Sequence, residues 1–378
     1  MKRMTGAVLA VCIFFAAFPA KTVHAAEVSA KACILMEAAT GRVLFEKNAQ
    51  QKLPMASTTK IMTTLLTIES GDLDTEFLVD SGAIHVEGSS MGLQEGDLVS
   101  KRDLCYGMLL PSGNDAANAA AVAVAGDIPS FIEMMNARAE EIGMTRTCFA
   151  TPSGLDGEGH GASAYDMALL TREAMRDATF RSICAQPSAC VNFGNPPYDR
   201  TLYNSNKLLT MYEGVIGVKT GFTDDAGRCL VSACERGGVM LLCVTLGAPD
   251  DWNDHKKLYD MGFASVECRE LECPEGLTQS VAGSDRQEIA VKPSETVTIG
   301  AWEGDTSAVH TRVLKAPFAY APVAAGEEIG TLEYYYENNL IAAVPLCAAE
   351  DAAVLPPPEP ANMFVRFRHW LGSITGSK

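Results

Sequence analysis

The sequence predicts an α+β protein, an antiparallel sheet with helices, followed by a small all-β sandwich domain and a C-terminal amphipathic helix. Hairpin-forming apolar runs lie beside helical patterns in the first two thirds of the chain, which favours α+β over βαβ repeats. From about residue 275 the helical patterns stop, and short strand patterns separated by turn residues follow. With 378 residues and 47% hydrophobic residues, the chain can bury the cores that such domains need.

The pattern of apolar and turn residues predicts the elements of the first unit in order. Apolar runs at residues 32–37 and 43–46 around Gly41 predict a hairpin. Helical patterns follow at residues 57–69, 115–125, 129–143 and 165–177. The first unit then continues with strand patterns at residues 215–220, 229–235 and 239–246 and a closing helix at residues 254–262. The second unit has strand patterns at residues 289–291, 296–299, 309–314, 330–336 and 339–344.

Composition shifts divide the chain into five predicted segments. We expect a signal peptide at residues 1–26, an α+β domain at 27–270, a β-sandwich domain at 275–350, a proline-rich linker at 351–360 and an amphipathic helix at 361–378.

The N-terminal segment has the layout of a secretory signal peptide. Lys2 and Arg3 precede an apolar stretch at residues 6–20, and a small-residue site of the A-x-A type ends at Ala25. The alternative is a transmembrane helix, but about 15 apolar residues ended by Lys21 are too few to span a bilayer. The protein is therefore expected to be exported and cleaved.

The C-terminal segment has the pattern of a helix that lies in a membrane interface. Arg366 and Arg368 flank an apolar stripe at helical spacing, and the segment contains no acid. The stripe consists of Met363, Phe364, Phe367, Trp370, Leu371 and Ile374. The alternative is a helix packed on its own domain, which the proline-rich linker disfavours because it projects the segment away. We expect peripheral attachment to a membrane surface through residues 361–378.

Charge and histidine spacing exclude two further classes of function. The formal net charge of −17 argues against nucleic-acid binding, which needs a basic face. The six histidines show no metal-binding spacing, so neither a metal nor another cofactor is expected.

The cysteines form a poor disulfide framework. Twelve are present, and eleven remain once Cys12 is removed with the signal peptide. An odd, scattered set disfavours a network of bridges. A single bridge, Cys184–Cys190 or Cys268–Cys273, stays open as an alternative.

An S-x-x-K motif at Ser57 and Lys60 opens the first predicted helix. Spacing of three residues places the hydroxyl and the amine on one helical face. Serine is a weak nucleophile that needs a neighbouring base, and a lysine with a lowered pKa can serve. The alternative is an ordinary capped helix with a surface lysine.

Ser112 and Asn114 lie in a loop between two apolar helical stretches. In such a loop the hydroxyl can relay protons and the amide can hold a substrate backbone. The alternative gives one of them a capping role for the helix at 115–125. From the residues alone the two interpretations carry equal weight.

Lys219, Thr220 and Gly221 end a predicted strand. The ammonium and the hydroxyl can bind a substrate carboxylate, and the glycine permits close approach of another backbone. The alternative is a solvent-facing strand end with a turn glycine.

In the order S-x-x-K, S-x-N, K-T-G, the three motifs are specific together. With them the chain resembles the penicillin-binding proteins and serine β-lactamases, and more closely the low-molecular-mass D-alanyl-D-alanine carboxypeptidases of peptidase family S11. The resemblance extends over nearly the whole chain and implies a penicillin-binding/β-lactamase-like catalytic domain at residues 27–270.

The resemblance also implies the site residues. Ser57 is the expected acylated nucleophile, Lys60 its base, and Ser112 a further catalytic residue, while the backbone N–H groups of Ser57 and Phe222 form the expected oxyanion hole. The expected substrate-binding residues are Asn114, Lys219, Thr220, Gly221, Phe222 and Thr223. The implied substrate is the D-Ala-D-Ala end of a peptidoglycan pentapeptide, the implied inhibitors are β-lactams, and the implied location is the extracytoplasmic face of the bacterial cell membrane.

One departure concerns recognition of the substrate carboxylate. Many of these enzymes carry an arginine after the last core strand, whereas residues 247–255 contain none. Lys219, Thr220 and Thr223 are the expected substitutes. Trp252 is expected to pack in the core or on the surface, with a place in the cleft as the alternative.

Four alternative functions fit the motifs to different degrees. A class A β-lactamase needs an E-x-x-L-N string, which does not follow Asn114. A formal G-x-S-x-G at residues 88–92 lacks the strand and helix of a nucleophile elbow. An endopeptidase that cuts cross-links stays open, because the motifs do not fix exo or endo cleavage. A non-catalytic cell-wall binding protein is disfavoured by three intact motifs.

Overall fold

The computed structural model describes residues 27–356, 367–368 and 370–371. The predicted signal peptide lies outside the described residues, as do the end of the predicted linker and most of the predicted amphipathic helix. No helix among the described residues is long and apolar enough to cross a membrane.

The structure contains helices and strands in alternating groups. The strands are β1 (Ala32–Glu37), β2 (Val43–Lys47), β3 (Glu76–Leu78), β4 (Leu98–Ser100), β5 (Ser188–Gly194), β6 (Pro197–Tyr203), β7 (Val215–Thr223), β8 (Gly227–Arg236), β9 (Val239–Leu246), β10 (Val266–Glu270), β11 (Thr278–Ala282), β12 (Glu288–Pro293), β13 (Thr298–Trp302), β14 (Val309–Lys315), β15 (Ala319–Tyr320), β16 (Glu328–Tyr336) and β17 (Asn339–Ala348). The helices are α1 (Lys60–Glu69), α2 (Lys101–Leu109), α3 (Asn114–Ala125), α4 (Ile128–Ile142), α5 (Ala164–Ala174), α6 (Ala178–Cys184), α7 (Leu208–Met211) and α8 (Asp251–Ser265), and a 3₁₀ turn (Ala56–Thr59) precedes α1.

The first unit is built on a five-stranded antiparallel sheet in the order β2-β1-β9-β8-β7. A large apolar cluster containing side chains of α1 to α6 covers one face of the sheet. A smaller cluster beneath α8 covers the other face. Since both faces are buried, the sequences of the central strands are continuous apolar runs. β7, at the edge of the sheet, contains the K-T-G motif. The predicted α+β class is confirmed.

Side-chain caps define where several helices begin. Ser100 and Asp103 form a reciprocal capping box at the start of α2. Asp127 accepts a hydrogen bond from the backbone N–H of Ser130 at α4, and Ser163 accepts one from that of Asp166 at α5. These caps determine the residues at which α2, α4 and α5 begin.

The second unit contains only strands among the described residues. Its larger sheet has the order β14-β16-β17-β12-β11-β15, and β10 pairs with β13. Ile299 and Ala301 of β13 pack against Leu332 and Val344 of that sheet. The predicted all-β character is therefore confirmed. β10 pairs with this unit although it lies within residues 27–270, which were predicted to form the first domain.

Several elements were absent from the sequence prediction. The hairpin β5–β6 is the largest of these. Within it the guanidinium of Arg200 lies over the rings of Phe193 and Tyr198, and outside it Nη1 donates to the backbone carbonyl of Gly92 over 2.6 Å. The pattern predicted a helix from residue 57, but its first three residues, 57–59, belong to the 3₁₀ turn instead. All eleven described cysteines are free, so neither candidate disulfide forms.

Candidate active site

The Ser57 hydroxyl and the Lys60 amine meet at the junction of the 3₁₀ turn and α1. Lys60 Nζ lies 2.9 Å from Ser57 Oγ and 2.7 Å from Asn114 Oδ1. It also donates to the backbone carbonyl of Ser153 over 2.6 Å. Ser57 is half-buried, but Lys60 is fully buried. The alternative of a surface lysine is therefore wrong.

The surroundings of Lys60 favour a neutral amine. Burial lowers the pKa of Lys60 well below its usual value of 10.5, because removal from water disfavours the charged form. The positive charge of Lys219 lowers this pKa further, and the carboxylate of Asp115 opposes both effects. An amine in this state can accept the proton of Ser57.

The S-x-N loop adds Asn114 and Ser112. The N-cap of α3 is Gly113, without a side-chain cap, so the alternative in which Ser112 or Asn114 caps this helix is wrong. The Asn114 side chain instead bridges Lys60 and the backbone carbonyl of Glu87, to which Nδ2 donates over 2.7 Å. Ser112 is buried with a φ of 69°.

Asp115 holds the segment at residues 88–93 against the site. Its carboxylate accepts hydrogen bonds from the Ser90 hydroxyl and from the backbone N–H groups of Met91, Gly92 and Leu93. The formal G-x-S-x-G in this segment follows no strand and precedes no helix, which excludes a nucleophile elbow.

The K-T-G motif lies on β7, beside the turn that carries Ser57. Lys219 is buried, which excludes the solvent-facing alternative, and its Nζ donates to the backbone carbonyl of Thr220 over 2.8 Å. Burial lowers the pKa of Lys219 to about 7. A Cβ on Gly221 would lie 3.1 Å from the backbone nitrogen of Ser57, so a glycine permits this close approach.

A loop at residues 150–160, whose role the sequence did not predict, forms the floor beneath Lys60. His160 anchors it: its Nδ1 accepts from the Ala150 N–H over 3.0 Å, and its Nε2 lies 3.0 Å from Thr59 Oγ1. Because Nδ1 accepts, Nε2 carries the proton of the neutral ring. Burial keeps the ring neutral by lowering the pKa of His160 to about 4.

These elements surround a cleft of about 350 Å³ that contains Ser57. Its lining residues are Ser57, Ser89, Ser112, Ser205, Lys207, Thr220, Gly221, Phe222, Arg228, Asp251 and Trp252. A larger cavity of about 700 Å³, along β10 and the start of β14, contains none of the motif residues, so chemistry rather than size identifies the site.

The nine predicted site residues differ in their position relative to the cleft. Five of them line it, namely Ser57, Ser112, Thr220, Gly221 and Phe222. Lys60, Asn114 and Lys219 are buried and are not among the lining residues. Thr223 is the last residue of β7. Its hydroxyl donates to Asp156 over 3.2 Å and accepts from the N–H of Ala226, so its role in substrate binding stays a prediction.

Sequence reasoning missed Ser89, Ser205, Lys207, Arg228 and Asp251 as lining residues. Trp252 packs partly on the smaller apolar cluster and also lines the cleft, so both interpretations of it apply. Between residues 27 and 356, no group of three or more His, Cys, Asp or Glu side chains could hold a metal ion.

A serine hydroxyl paired with a buried lysine, at the edge of an antiparallel sheet flanked by helices, defines a serine hydrolase that works through an acyl-enzyme. Two family models match the chain: D-alanyl-D-alanine carboxypeptidase at residues 19–250, and the penicillin-binding protein 5 C-terminal domain at residues 275–353. The chain therefore belongs to the D-alanyl-D-alanine carboxypeptidase family, peptidase family S11, and the predicted resemblance is confirmed.

Curated relatives and solved structures agree with this assignment. The chain is 32% identical to D-alanyl-D-alanine carboxypeptidase DacF of Bacillus subtilis over 335 residues, which is 85% of either chain. It is 34% identical to DacC of Escherichia coli, with 93% of this chain and 92% of that one covered. The structure of penicillin binding protein 5 from Haemophilus influenzae superposes with a TM-score of 0.63 at 29% identity, and covers 86% of this chain and 98% of that chain.

Proposed function

We propose that Ser57 is the nucleophile with which this serine-type D-alanyl-D-alanine carboxypeptidase removes the terminal D-alanine from peptidoglycan stem peptides. The observation that carries the proposal is the 2.9 Å separation between Ser57 Oγ and the buried Nζ of Lys60. A neutral amine at this distance is within reach of the hydroxyl proton.

In the first step, Ser57 Oγ attacks the carbonyl carbon of the penultimate D-alanine while its proton passes to Lys60. The oxyanion that forms is stabilised by the backbone N–H groups of Ser57 and Phe222. The close approach of Gly221 to the Ser57 turn supports this pairing, since it brings β7 against the turn.

The tetrahedral intermediate then collapses, the peptide C–N bond breaks, and D-alanine leaves with a proton that returns from Lys60 through Ser112. Water attacks the remaining ester, with Lys60 again as the base, and restores the Ser57 hydroxyl. A β-lactam is opened by the same attack. Its amine stays attached to the acyl group and hinders water, so the acyl-enzyme persists.

Acylation by a fluorescent penicillin tests the role of Ser57. We expect the wild type and the control Ser182→Ala, whose hydroxyl is on the exposed side of α6, to become labelled. Ser57→Ala should remain unlabelled although it folds. Equal labelling of Ser57→Ala would contradict the proposal.

The released product separates the two modes of cleavage. Incubation with a D-Ala-D-Ala pentapeptide should release free D-alanine, which a D-amino acid oxidase assay detects. Cleavage of cross-linked muropeptides without release of free D-alanine would indicate an endopeptidase instead. An unlabelled wild type that releases nothing would indicate a non-catalytic binding protein.

We also propose that the enzyme is exported and held at the extracytoplasmic face of the membrane. In this layout residues 1–26 are a cleaved signal peptide, 27–270 the catalytic domain, 275–350 the sandwich, 351–360 the linker and 361–378 the anchor. The apolar stripe flanked by arginines supports the anchor, as do the exposed rings of Phe367 and Trp370, whose centroids lie 5.6 Å apart.

Flotation with anionic phospholipid vesicles tests the anchor. The mature protein should float with the vesicles, and a truncation after Pro360 should stay at the bottom of the gradient with its penicillin labelling intact. The substitution Trp370→Glu should weaken flotation in the full-length protein. Flotation of the truncated protein would contradict the role of residues 361–378.

A further inference from the structure

Arg228 is a guanidinium in the wall of the cleft, on the strand next to the K-T-G motif. In the β7–β8 register it lies directly opposite Phe222. It lines the same cleft as Ser57 and Thr220. A cation at this place faces the volume in which the C-terminal end of a substrate lies when its scissile carbonyl is at Ser57.

Asp251 and Trp252 fix the position of Arg228. Its Nε and Nη2 both donate to Asp251 Oδ1, over 3.0 and 2.9 Å, and the guanidinium centre lies 5.3 Å from the centre of the Trp252 ring. Asp251 is buried at 2% exposure and also accepts the N–H of Trp252, so it is itself held in place. The guanidinium is therefore oriented before any ligand binds.

The pairing with Asp251 leaves part of the guanidinium available for a second anion. Five N–H bonds radiate from an arginine, and Asp251 engages one on Nε and one on Nη2. The edge formed by Nη1 and Nη2 matches the two oxygens of another carboxylate. The side chain of Arg228 is 42% exposed, so a ligand can reach it.

Arg228 lies next to the segment after β9, residues 247–255, which contains no arginine. The backbone N–H of Ala248 donates to the Arg228 carbonyl over 2.8 Å, so this segment and Arg228 lie side by side. Arg228 of β8 thus supplies a guanidinium to the part of the cleft wall where residues 247–255 supply none.

We propose that Arg228 binds the terminal carboxylate of the substrate, with Asp251 and Trp252 as its positioning residues. This inference rests on the proposed carboxypeptidase function, and it makes Arg228 a specificity-determining residue for a free C-terminal acid. Lys207, an exposed cation that lines the same cleft, is the competing candidate. Arg228 is favoured because it is held by two neighbours and presents a planar pair of donors.

The test compares two substrates, a D-Ala-D-Ala peptide with a free C-terminal carboxylate and the same peptide as its C-terminal amide. Arg228→Gln should lower kcat/KM for the acid by about 10- to 100-fold, mostly through KM, because one charge-assisted pair is lost. It should leave kcat/KM for the amide nearly unchanged. Arg228→Lys keeps the charge but loses the planar fork, and should fall between the wild type and Arg228→Gln.

Three further variants complete the design. Arg236→Gln removes a guanidinium at the far end of the same strand, where it donates to the Glu213 carbonyl, and should preserve the preference for the acid. Asp251→Asn should raise KM for the acid alone. Lys207→Gln should change the preference little, and a loss of the preference in Lys207→Gln but not in Arg228→Gln would overturn the proposal.

The failure of this inference is distinguishable from failure of the proposed function. A wild type that is not acylated by penicillin and releases no D-alanine contradicts the function itself. An active wild type whose preference for the acid survives in a folded Arg228→Gln contradicts only the role of Arg228.

Discussion

The chemistry of the site depends on two lysines that the fold removes from water. Lys60 and Lys219 are both buried, and burial lowers the pKa of each because an ammonium loses its hydration. Their expected roles call for opposite charge states, since Lys60 is proposed to accept a proton whereas Lys219 is expected to attract the substrate carboxylate alongside Arg228. The mutual repulsion of their charges favours a neutral Lys60 while Lys219 is charged.

The pKa of Lys219 near 7 predicts the alkaline side of the pH profile. Below pH 7 this amine is charged and, in its expected role, attracts the substrate carboxylate, and above pH 7 the charge is lost. We expect kcat/KM for the free-acid peptide to rise with pH as Lys60 loses its proton, then to fall as the pH passes about 7. Initial rates of D-alanine release between pH 5 and about pH 9 measure this.

The amide peptide is the control for the pH profile, because it lacks the group that Lys219 attracts. Its kcat/KM should rise with pH without the later fall. Parallel profiles for the two peptides would show that the charge of Lys219 does not act on the carboxylate.

Among the elements, the 3₁₀ turn before α1 shows how loops set the position of the nucleophile. The turn is packed between β7 and the loop at residues 150–160, and Ala56 within it has a φ of 50°. Gly154 lies so close that a Cβ would be 2.1 Å from the Ala56 carbonyl oxygen. The loop therefore supports Ser57 by contact with its backbone as well as Lys60 through the Ser153 carbonyl.

The contact between Gly154 and the turn predicts a large effect of Gly154→Ala. The added methyl group must displace the Ala56 carbonyl, and the φ of 85° adds strain, so we expect a loss of unfolding free energy above the ~1–3 kcal/mol of backbone strain alone. The rate of acylation by penicillin should fall as well. Urea unfolding and stopped-flow labelling measure the two quantities.

Gly126→Ala is the matched control for this substitution. Its φ is 86°, but nothing lies within 4 Å of the added Cβ, so it isolates the strain from the clash. It should lose less stability than Gly154→Ala and keep the acylation rate of the wild type. Equal losses in the two variants would show that the clash with the turn has no consequence.

For the molecule as a whole, the two units meet where β13 passes the end of the catalytic sheet. The Glu37 carboxylate accepts from the backbone N–H of Thr40 over 2.7 Å and from that of Gly300 over 3.4 Å, so it connects the first hairpin with β13. A Cβ on Gly300 would lie 2.6 Å from Val239 Cγ1. The absence of a side chain at residue 300 thus permits this contact.

Gly300→Ala should weaken the contact between the units. Overpacking of this kind costs about 1–3 kcal/mol, and we expect a lower thermal midpoint, with the second unit unfolding first in calorimetry. D-alanine release should continue, because the residues around Ser57 belong to other elements. Gly283→Ala, in the same unit, meets nothing within 4 Å, so its φ of 75° adds backbone strain without a clash between the units. D-alanine release in Gly300→Ala with an unchanged thermal midpoint would contradict the prediction.

The sequence alone determined the motifs, the two units and the chemistry, because S-x-x-K, S-x-N and K-T-G are local patterns and hydrophobic periodicity reports which faces are buried. It could not decide whether Lys60 and Lys219 are buried, since their burial depends on segments as distant in the chain as residues 150–160. Nor could it place Arg228 in the same cleft as Ser57, because this depends on the register of β8 with β7 and on the packing of Asp251 in α8 against Arg228. Only the tertiary structure decided these points, since the pKa of an amine and the direction of a guanidinium depend on which distant groups surround them.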